Sequence, residues 1–599
     1  MRHRSQLTRL VLVASCLMVG ATAVSRLAAF TGAESPVAVA AMRGDTDGVR
    51  TLLRGGADVN AAQGDGMTAL HWTALNGDLK TMDTLLIAGA ATEALTRVGG
   101  YTPLHLASSR GQAAAIARLL EGGSKVGPFT TTGVQALHLA AQAGNADAVK
   151  ALLDKGADVN AKDKTHGRTP LIFAAAQDRL EAMKVLLARG ADPKVATAVI
   201  DYQARSTADT QARQMRDKVV SAATGRTINS NFDPDPPPPG TVNPPGSNVG
   251  GGRATPEPAD PSVGGRGGRG GGPRAPSDIE NIGKQGGFTA LHYAAREGYA
   301  DAALALIDAG LDINALSDGD RSTPMVVAII NGQYDLAQTL LARGANPSLA
   351  NDDGVTPLFA TLNNEWALRT WYPQPTAGGQ QKASYLDLLE GLLKAGADPN
   401  IRTRTHIWYA AYNTGRMGVD FAGATPFWRA AYSLDVDAMR LLVRYGADPN
   451  IPTMTYGAQR RDNDSSGLPA VAPGGPNVPP LHAASGVGYG TSRVAQQHRH
   501  VPDGWIRAAK YFIEELGVNV NARDADGFTA LHHAAARGDN DAIQYLVAHG
   551  ADVMAVNRAG QTTVDMANSP EQRTQPFPAT IALLEGMGAK NNNNFRACK

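Results

Sequence analysis

The chain has 599 residues, a formal net charge of +1 and two cysteines. So small a net charge gives no global field to draw in nucleic acid or an anionic lipid surface. Two cysteines exclude a disulfide-rich scaffold, and no cysteine pair is spaced to hold zinc or attach haem.

Residues 1–23 read as a secretory signal peptide. Arg2, Arg4 and Arg9 precede the apolar run Leu10 to Val19, and Ala21-Thr22-Ala23 fits a small-residue cleavage site. The apolar run is short for a membrane span, so no span is expected in the mature chain. The protein is therefore expected to be exported, as a periplasmic or secreted protein. A lesser alternative is lipid anchoring at Cys16, which follows Val13-Ala14-Ser15. Cleavage after Ala23 leaves Cys598 without a partner.

One pattern recurs from residue 36 onward. Its clearest copy is Gln135 to Lys162, and close copies open at Thr68, Thr289 and Thr529. The leading Thr or its equivalent falls at 68, 102, 135 and 169, then at 289, 323 and 356, then at 425, 479, 529 and 562. A period of about 33 residues is one of those adopted by stacked helical repeats. In the 135 copy, Leu137, Ala140 and Ala141 share one helix face and Gly144 ends that helix. Val149, Leu152 and Leu153 form the stripe of a second helix, which Gly156 ends. The close Ala157 to Asn160 suits a turn, because Asp and Asn bond their own backbone. The first copy, Pro36 to Asn60, lacks the usual opening and reads as an N-terminal cap. The 169 copy carries Ile172 at the usual histidine position and Asp178 where the helix-ending Gly stands elsewhere.

The repeats divide into an N-terminal array, 36–200, and a C-terminal array, 287–590. Between them, 201–286 is expected to be a disordered Pro/Gly-rich linker, though Asp201 to Ala223 is polar and has helical character. Its GGRGGRGGGPR run could track single-stranded RNA. With few arginines, no interleaved aromatics and an export signal, it reads instead as a soluble tether. The C-terminal array carries four insertions, at about 365–384, 401–424, 451–478 and 485–504. Five of the six tryptophans lie in this region. Trp428 and Phe427 occupy the histidine and leucine positions of their unit and read as structural. A last unit, Thr562 to Lys590, reads as the C-terminal cap, followed by a polar tail, 591–599.

The opening Thr102-Pro103-Leu104-His105 and the closes Asp58-Val59-Asn60 and Asp158-Val159-Asn160 resemble the ankyrin repeat. The resemblance implies an all-α solenoid of about twelve units in two arrays, made of antiparallel helix pairs with β-hairpin-like projecting loops. It also implies that His71, His105, His138, His292, His482 and His532 bond locally and brace the inter-repeat turn. Their regular spacing fits bracing better than metal binding, because metal ligands must converge. Residues that choose a partner in such proteins correspond here to Trp72, Leu106, Leu139, Tyr293 and His533.

No catalytic constellation stands out, so no enzyme activity, cofactor or resident metal is expected. There is no Gly-x-Ser-x-Gly elbow and no phosphate-binding loop of the GxxxxGK type. Gly486 to Gly490 is glycine-rich without a surrounding βαβ pattern. His498 and His500 could join His482 or His406 around a metal only if their loops converged, and read instead as a solvated basic loop. The expected function is a protein–protein interaction scaffold, acting through projecting loops, first helices and aromatic insertions. The partner-binding candidates are Trp366, Trp371, Tyr372, Trp408, Tyr409, Tyr412, Tyr489 and Trp505, because aromatics on inserted loops are the usual interface anchors. The opposing reading is that these rings pack on each other and patch the solenoid. Two alternatives remain open at this point: a small-molecule or cofactor pocket, perhaps enzymatic, formed by the insertions, and a structural spacer in the cell envelope.

Overall fold

The computed structural model describes residues 35–225, 276–367, 377–407, 419–455, 464, 466–488, 499–568 and 575–594. Among them are twelve helix pairs, from Pro36–Met42 with Thr46–Arg54 to Thr563–Ala567 with Pro578–Gly586. The all-α repeat architecture expected from the sequence is present. No helix among the described residues is long and apolar enough to cross a membrane.

Each unit begins with a locally determined helix start. Thr102 caps the helix Pro103–Ser109, its hydroxyl accepting from the His105 N–H at 3.3 Å. Pro103 stands at the first helical position, where an N–H would have no partner within the helix. The turn to the second helix uses a left-handed residue. Gly144 supplies it at φ 88° in the 135 unit. Asp178 takes the same conformation at φ 54°, the strained counterpart of the glycine it replaces. Asn145 then caps the second helix through the N–H groups of Asp147 and Ala148.

Neighbouring units are joined in two layers. Apolar faces stack, with Leu104, Ala107, Ile116 and Leu119 almost wholly buried in the 102 unit. Burying each large aliphatic side chain stabilises by about 1.5–3 kcal/mol, and a single helix pair cannot bury its own face. At the closing turns, an asparagine clamps the next unit. The Asn521 amide donates to Gly550 O and accepts from the Asp552 N–H, both at 2.8 Å. Asn60, Asn160 and Asn400 make the same pair of bonds one unit on.

The chain forms two compact units. One comprises the described residues to Ala198 with Thr289–Ala294 and Asp301–Leu311; the other comprises Val199–Phe288, Ala295–Ala300 and the described residues from Asp312. The second unit includes ordered structure at both ends of the stretch read as a disordered linker. Val199–Asp201 pairs antiparallel with Lys284–Gly286. Tyr202–Thr224 is a 23-residue helix that buries none of its side chains. Asp201 caps this helix through the Ala204 N–H, and Gly225 closes it in the left-handed conformation. The Pro/Gly run 233–275 and the RGG motif lie outside the described residues.

Candidate functional site

In His71, His105 and His138 the repeated histidine is held at both ring nitrogens. Nδ1 accepts the N–H of the residue three positions earlier: Thr68 to His71 at 3.1 Å, Thr102 to His105 at 3.1 Å, Gln135 to His138 at 3.2 Å, Thr289 to His292 at 3.3 Å and Thr529 to His532 at 3.1 Å. Nε2–H then donates to a carbonyl at the next turn, Tyr101 O from His71, Pro128 O from His105, and Ala161 O and Arg168 O from His138. This fixes the tautomer, with the proton on Nε2. Burial lowers the pKa of His71 and His138 and brings that of His105 down to about 4, outweighing the carbonyl partners that favour the charged form. The bracing role is therefore carried out by neutral imidazoles.

In the 425 unit Trp428 does the same task with one N–H, donating from Nε1 to Val478 O at 2.9 Å. Its ring stacks on Tyr432 and meets Phe421 edge-on. Phe421 comes from the 401–424 insertion and also stacks on His406. That part of the insertion is a local core, with Trp428, Phe421 and Tyr432 all 2% exposed or less.

Two of the eight partner-binding candidates fall on described residues. Trp366 is half-buried. Its Nε1–H donates to Asp435 Oδ2 at 3.0 Å, its ring meets Tyr385 edge-on, and the Arg499 guanidinium lies 5.8 Å from its centroid. Its carbonyl accepts from the buried Arg429 guanidinium. Trp505 is also half-buried, with the Arg537 guanidinium 3.6 Å above its ring and His500 beside it. Both rings knit inserted segments onto neighbouring repeats. Trp371, Tyr372, Trp408, Tyr409, Tyr412 and Tyr489 lie outside the described residues. Of the first-helix positions, Trp72, Leu106, Leu139 and Tyr293 are half-buried, while His533 is buried.

A different set of apolar side chains is open to solvent. Leu95 is 60% exposed, Val98 74% and Phe129 36%. Leu95 and Phe129 each immediately precede the threonine that opens a hairpin, Thr96 bonding Tyr101 O and Thr130 bonding Val134 O. They therefore occupy equivalent places on consecutive projecting loops. Lys164, on the following loop, lies with its ammonium 4.2 Å from the Phe129 ring centroid. The sequence carried a signal for these residues: large apolar side chains where turn chemistry calls only for polar residues and glycine.

Comparison with known families bears on the repeats themselves. The ankyrin repeats (3 copies) family model matches 37–130, 115–197 and 275–351, the ankyrin repeats (many copies) model matches 513–567, and the single ankyrin repeat model matches 422–454. The chain is an ankyrin-repeat protein. Its curated relatives share short stretches of it. Alpha-latrocrustotoxin-Lt1a of Latrodectus tredecimguttatus is 25% identical over 250 residues, 41% of this ankyrin-repeat chain and 13% of the toxin. Palmitoyltransferase AKR1 of Lachancea kluyveri is 40% identical over 67 residues, 11% of this chain and 9% of that protein. Protein phosphatase 1 regulatory subunit 12A of Mus musculus is 39% identical over 80 residues, 12% of this chain and 8% of its own. The chain thus spans a small fraction of the length of each of these relatives, and the palmitoyltransferase match is a partial one.

Proposed function

We propose that this ankyrin-repeat protein is an exported, non-enzymatic scaffold that binds a partner protein through its projecting loops. The observation that carries the reading is the exposure of Leu95, Val98 and Phe129 on consecutive hairpins. Large apolar groups left exposed on successive loops of a rigid frame are candidates for a recognition surface. The asparagine and histidine clamps hold that frame before any partner arrives, which lowers the ordering cost of association. The 80-residue likeness to a protein phosphatase 1 regulatory subunit agrees with an interaction role. Export rests on the signal-like residues 1–23.

This divides the labour differently from the sequence expectation. Trp366 and Trp505 are engaged within the chain, so the main anchors are assigned to the projecting hairpins. The remaining inserted aromatics are secondary candidates.

The test is affinity capture from the native envelope or secretome, with the full chain and L95S/V98S/F129S as parallel baits. A partner held by the first and lost by the second, with circular dichroism unchanged, supports the reading. Equal retention by both baits contradicts it. Export is tested by sequencing the N-terminus of the protein recovered from its native cells. A mature chain beginning after Ala23 is expected, and an intact Met1 on the accumulated protein contradicts export through a cleaved signal.

A further inference from the structure

His482 departs from the bracing pattern. Three positions before it stands Pro479, not threonine or glutamine. Proline has neither the N–H nor a hydroxyl that Nδ1 meets in the regular units. His482 Nε2 still bonds Ala522 O at 2.9 Å, which places the proton there and leaves a lone pair on Nδ1. That Nδ1 is buried and makes no hydrogen bond, in a residue with no exposed surface.

The atom nearest in chemistry is a carboxylate oxygen with its own deficit. Asp524 Oδ1 accepts from the N–H groups of Asp526 and Phe528, closing its turn. Asp163 occupies the equivalent place in an earlier unit, and there the second oxygen takes a 2.6 Å bond from Arg168 Nε. Phe528 stands where Arg168 stands, just before the helix-capping threonine. Among the described residues, only His482 and His533 lie within ion-pair distance of Asp524. The nearby Arg523 guanidinium is bonded to Gly527 O and Val556 O, and that of Arg537 to Asp539 and Ser485 O.

His533 completes the group from the first helix of the next unit. Its Nε2 is 3.7 Å from Asp524 Oδ2, and His482 Nδ1 is 3.9 Å from the same oxygen. Both separations are too long for hydrogen bonds, and Nε2 of His533 also has no partner. The three ligand atoms lie within 4.8 Å of one another, and all three residues are buried. A carboxylate and a lone-pair nitrogen facing each other in a dry interior repel unless a cation lies between them.

We propose that His482 Nδ1, Asp524 Oδ2 and His533 Nε2 form a divalent metal site of zinc type, clamping the 479 unit to the 529 unit. Two imidazoles and a carboxylate are a zinc donor set, with ligand distances of about 2.0–2.2 Å. Three such ligands around one ion stand roughly 3.3–3.6 Å apart, so binding draws the rings inward and leaves a fourth position for water or an outside ligand. The Nε2–H bond from His482 to Ala522 O orients the ligand from behind, as metal-bound histidines require. The metal would give His482 Nδ1 the partner that Pro479 denies it and would add a tie between the two units to the bond His482 already makes to Ala522 O.

The site is tested on the full chain, stripped with a chelator and titrated with zinc alone, followed by calorimetry, elemental analysis and the urea midpoint. One zinc ion per chain at micromolar affinity or tighter is expected, with a rise in the midpoint. Cobalt in its place should give the visible absorption of a tetrahedral site. D524N keeps the turn, because Asn557 holds the equivalent turn through its own amide oxygen. D524N and H533Q should each lose the tight site. P479T returns a partner to His482 Nδ1 using the residue that other units carry, and should weaken zinc at least about tenfold while the chain stays folded. Zinc bound with unchanged affinity by D524N and H533Q would overturn the proposal, as would no zinc binding at micromolar concentration by the folded wild-type chain.

Discussion

Trp366 and Asp435, 69 residues apart, are joined by a 3.0 Å hydrogen bond from the indole Nε1–H to Oδ2. The same carboxylate accepts from the Tyr385 hydroxyl at 2.9 Å, and its other oxygen caps the helix Val436–Arg444 through the Ala438 N–H. Burial and the adjoining Asp435 charge keep the Tyr385 phenol protonated well above its usual range. One aspartate thus ties an inserted tryptophan and two second helices together.

Replacing Trp366 by Phe removes the indole bond and keeps most of the ring, at an expected cost of about 1–2 kcal/mol. Asp435→Ala removes the helix cap and strands two donors, at an expected cost of about 3 kcal/mol. Urea unfolding followed by circular dichroism measures both. A cost for Asp435→Ala no greater than for Trp366→Phe would show that the carboxylate is not the hub.

The bracing histidines make stability depend on pH. His105 has a pKa of about 4 when folded, against 6.5 for the free side chain, because burial disfavours its charge. His532 is lowered to about 3, chiefly by burial and then by the neighbouring His533. A base whose folded pKa is depressed contributes its full stabilisation above the unfolded pKa. That contribution falls away as the pH drops from about 6.5 toward the folded value, since the unfolded chain then binds more protons. The urea midpoint should therefore decline between pH 6.5 and 4. In His105→Gln the decline should be shallower across that window, while the midpoint at pH 7.5 is lower than in the wild type. Parallel slopes for the two proteins would remove His105 from the pH response.

Asp353 works in the opposite sense. It is 8% exposed and accepts from the Thr405 hydroxyl. Burial raises its pKa to about 6, and the carboxylates of Asp320 and Asp352 add to the rise against that hydrogen bond. A carboxyl whose folded pKa is raised destabilises the fold as pH climbs from about 4 through 6. Asp353→Asn keeps an acceptor for Thr405 without the charge. It should stabilise by roughly 1–3 kcal/mol at pH 7.5 and have little effect at pH 4. Stabilisation of equal size at both pH values would point to packing, not ionisation.

The repeat architecture was legible because each unit restates the same local chemistry. Thr102, Pro103 and His105 begin a helix by capping, and Gly144 ends one by its left-handed backbone. Neither device depends on distant residues. The same regularity hid the departures. His482 looks like the other five histidines in the row, and only the pairing of Pro479 with Phe528, 49 residues on, frees its nitrogen and the Asp524 oxygen together. Trp366 and Trp505 stand out in composition as candidate anchors, but composition does not show that Asp435 and Arg537 also hold their half-buried rings. Exposure at Leu95 and Phe129 was visible only as apolar residues beside turn signals. Whether such a side chain folds back or stands out is decided by the next loop.

The recognition claim is tested most directly by a hydrogen-exchange footprint of the full chain with and without its captured partner. Protection concentrated on the hairpins around Leu95, Val98 and Phe129, with second helices unchanged, is the expected result. Protection confined to the second helices, with those hairpins exchanging as in the free protein, would contradict recognition through the projecting loops.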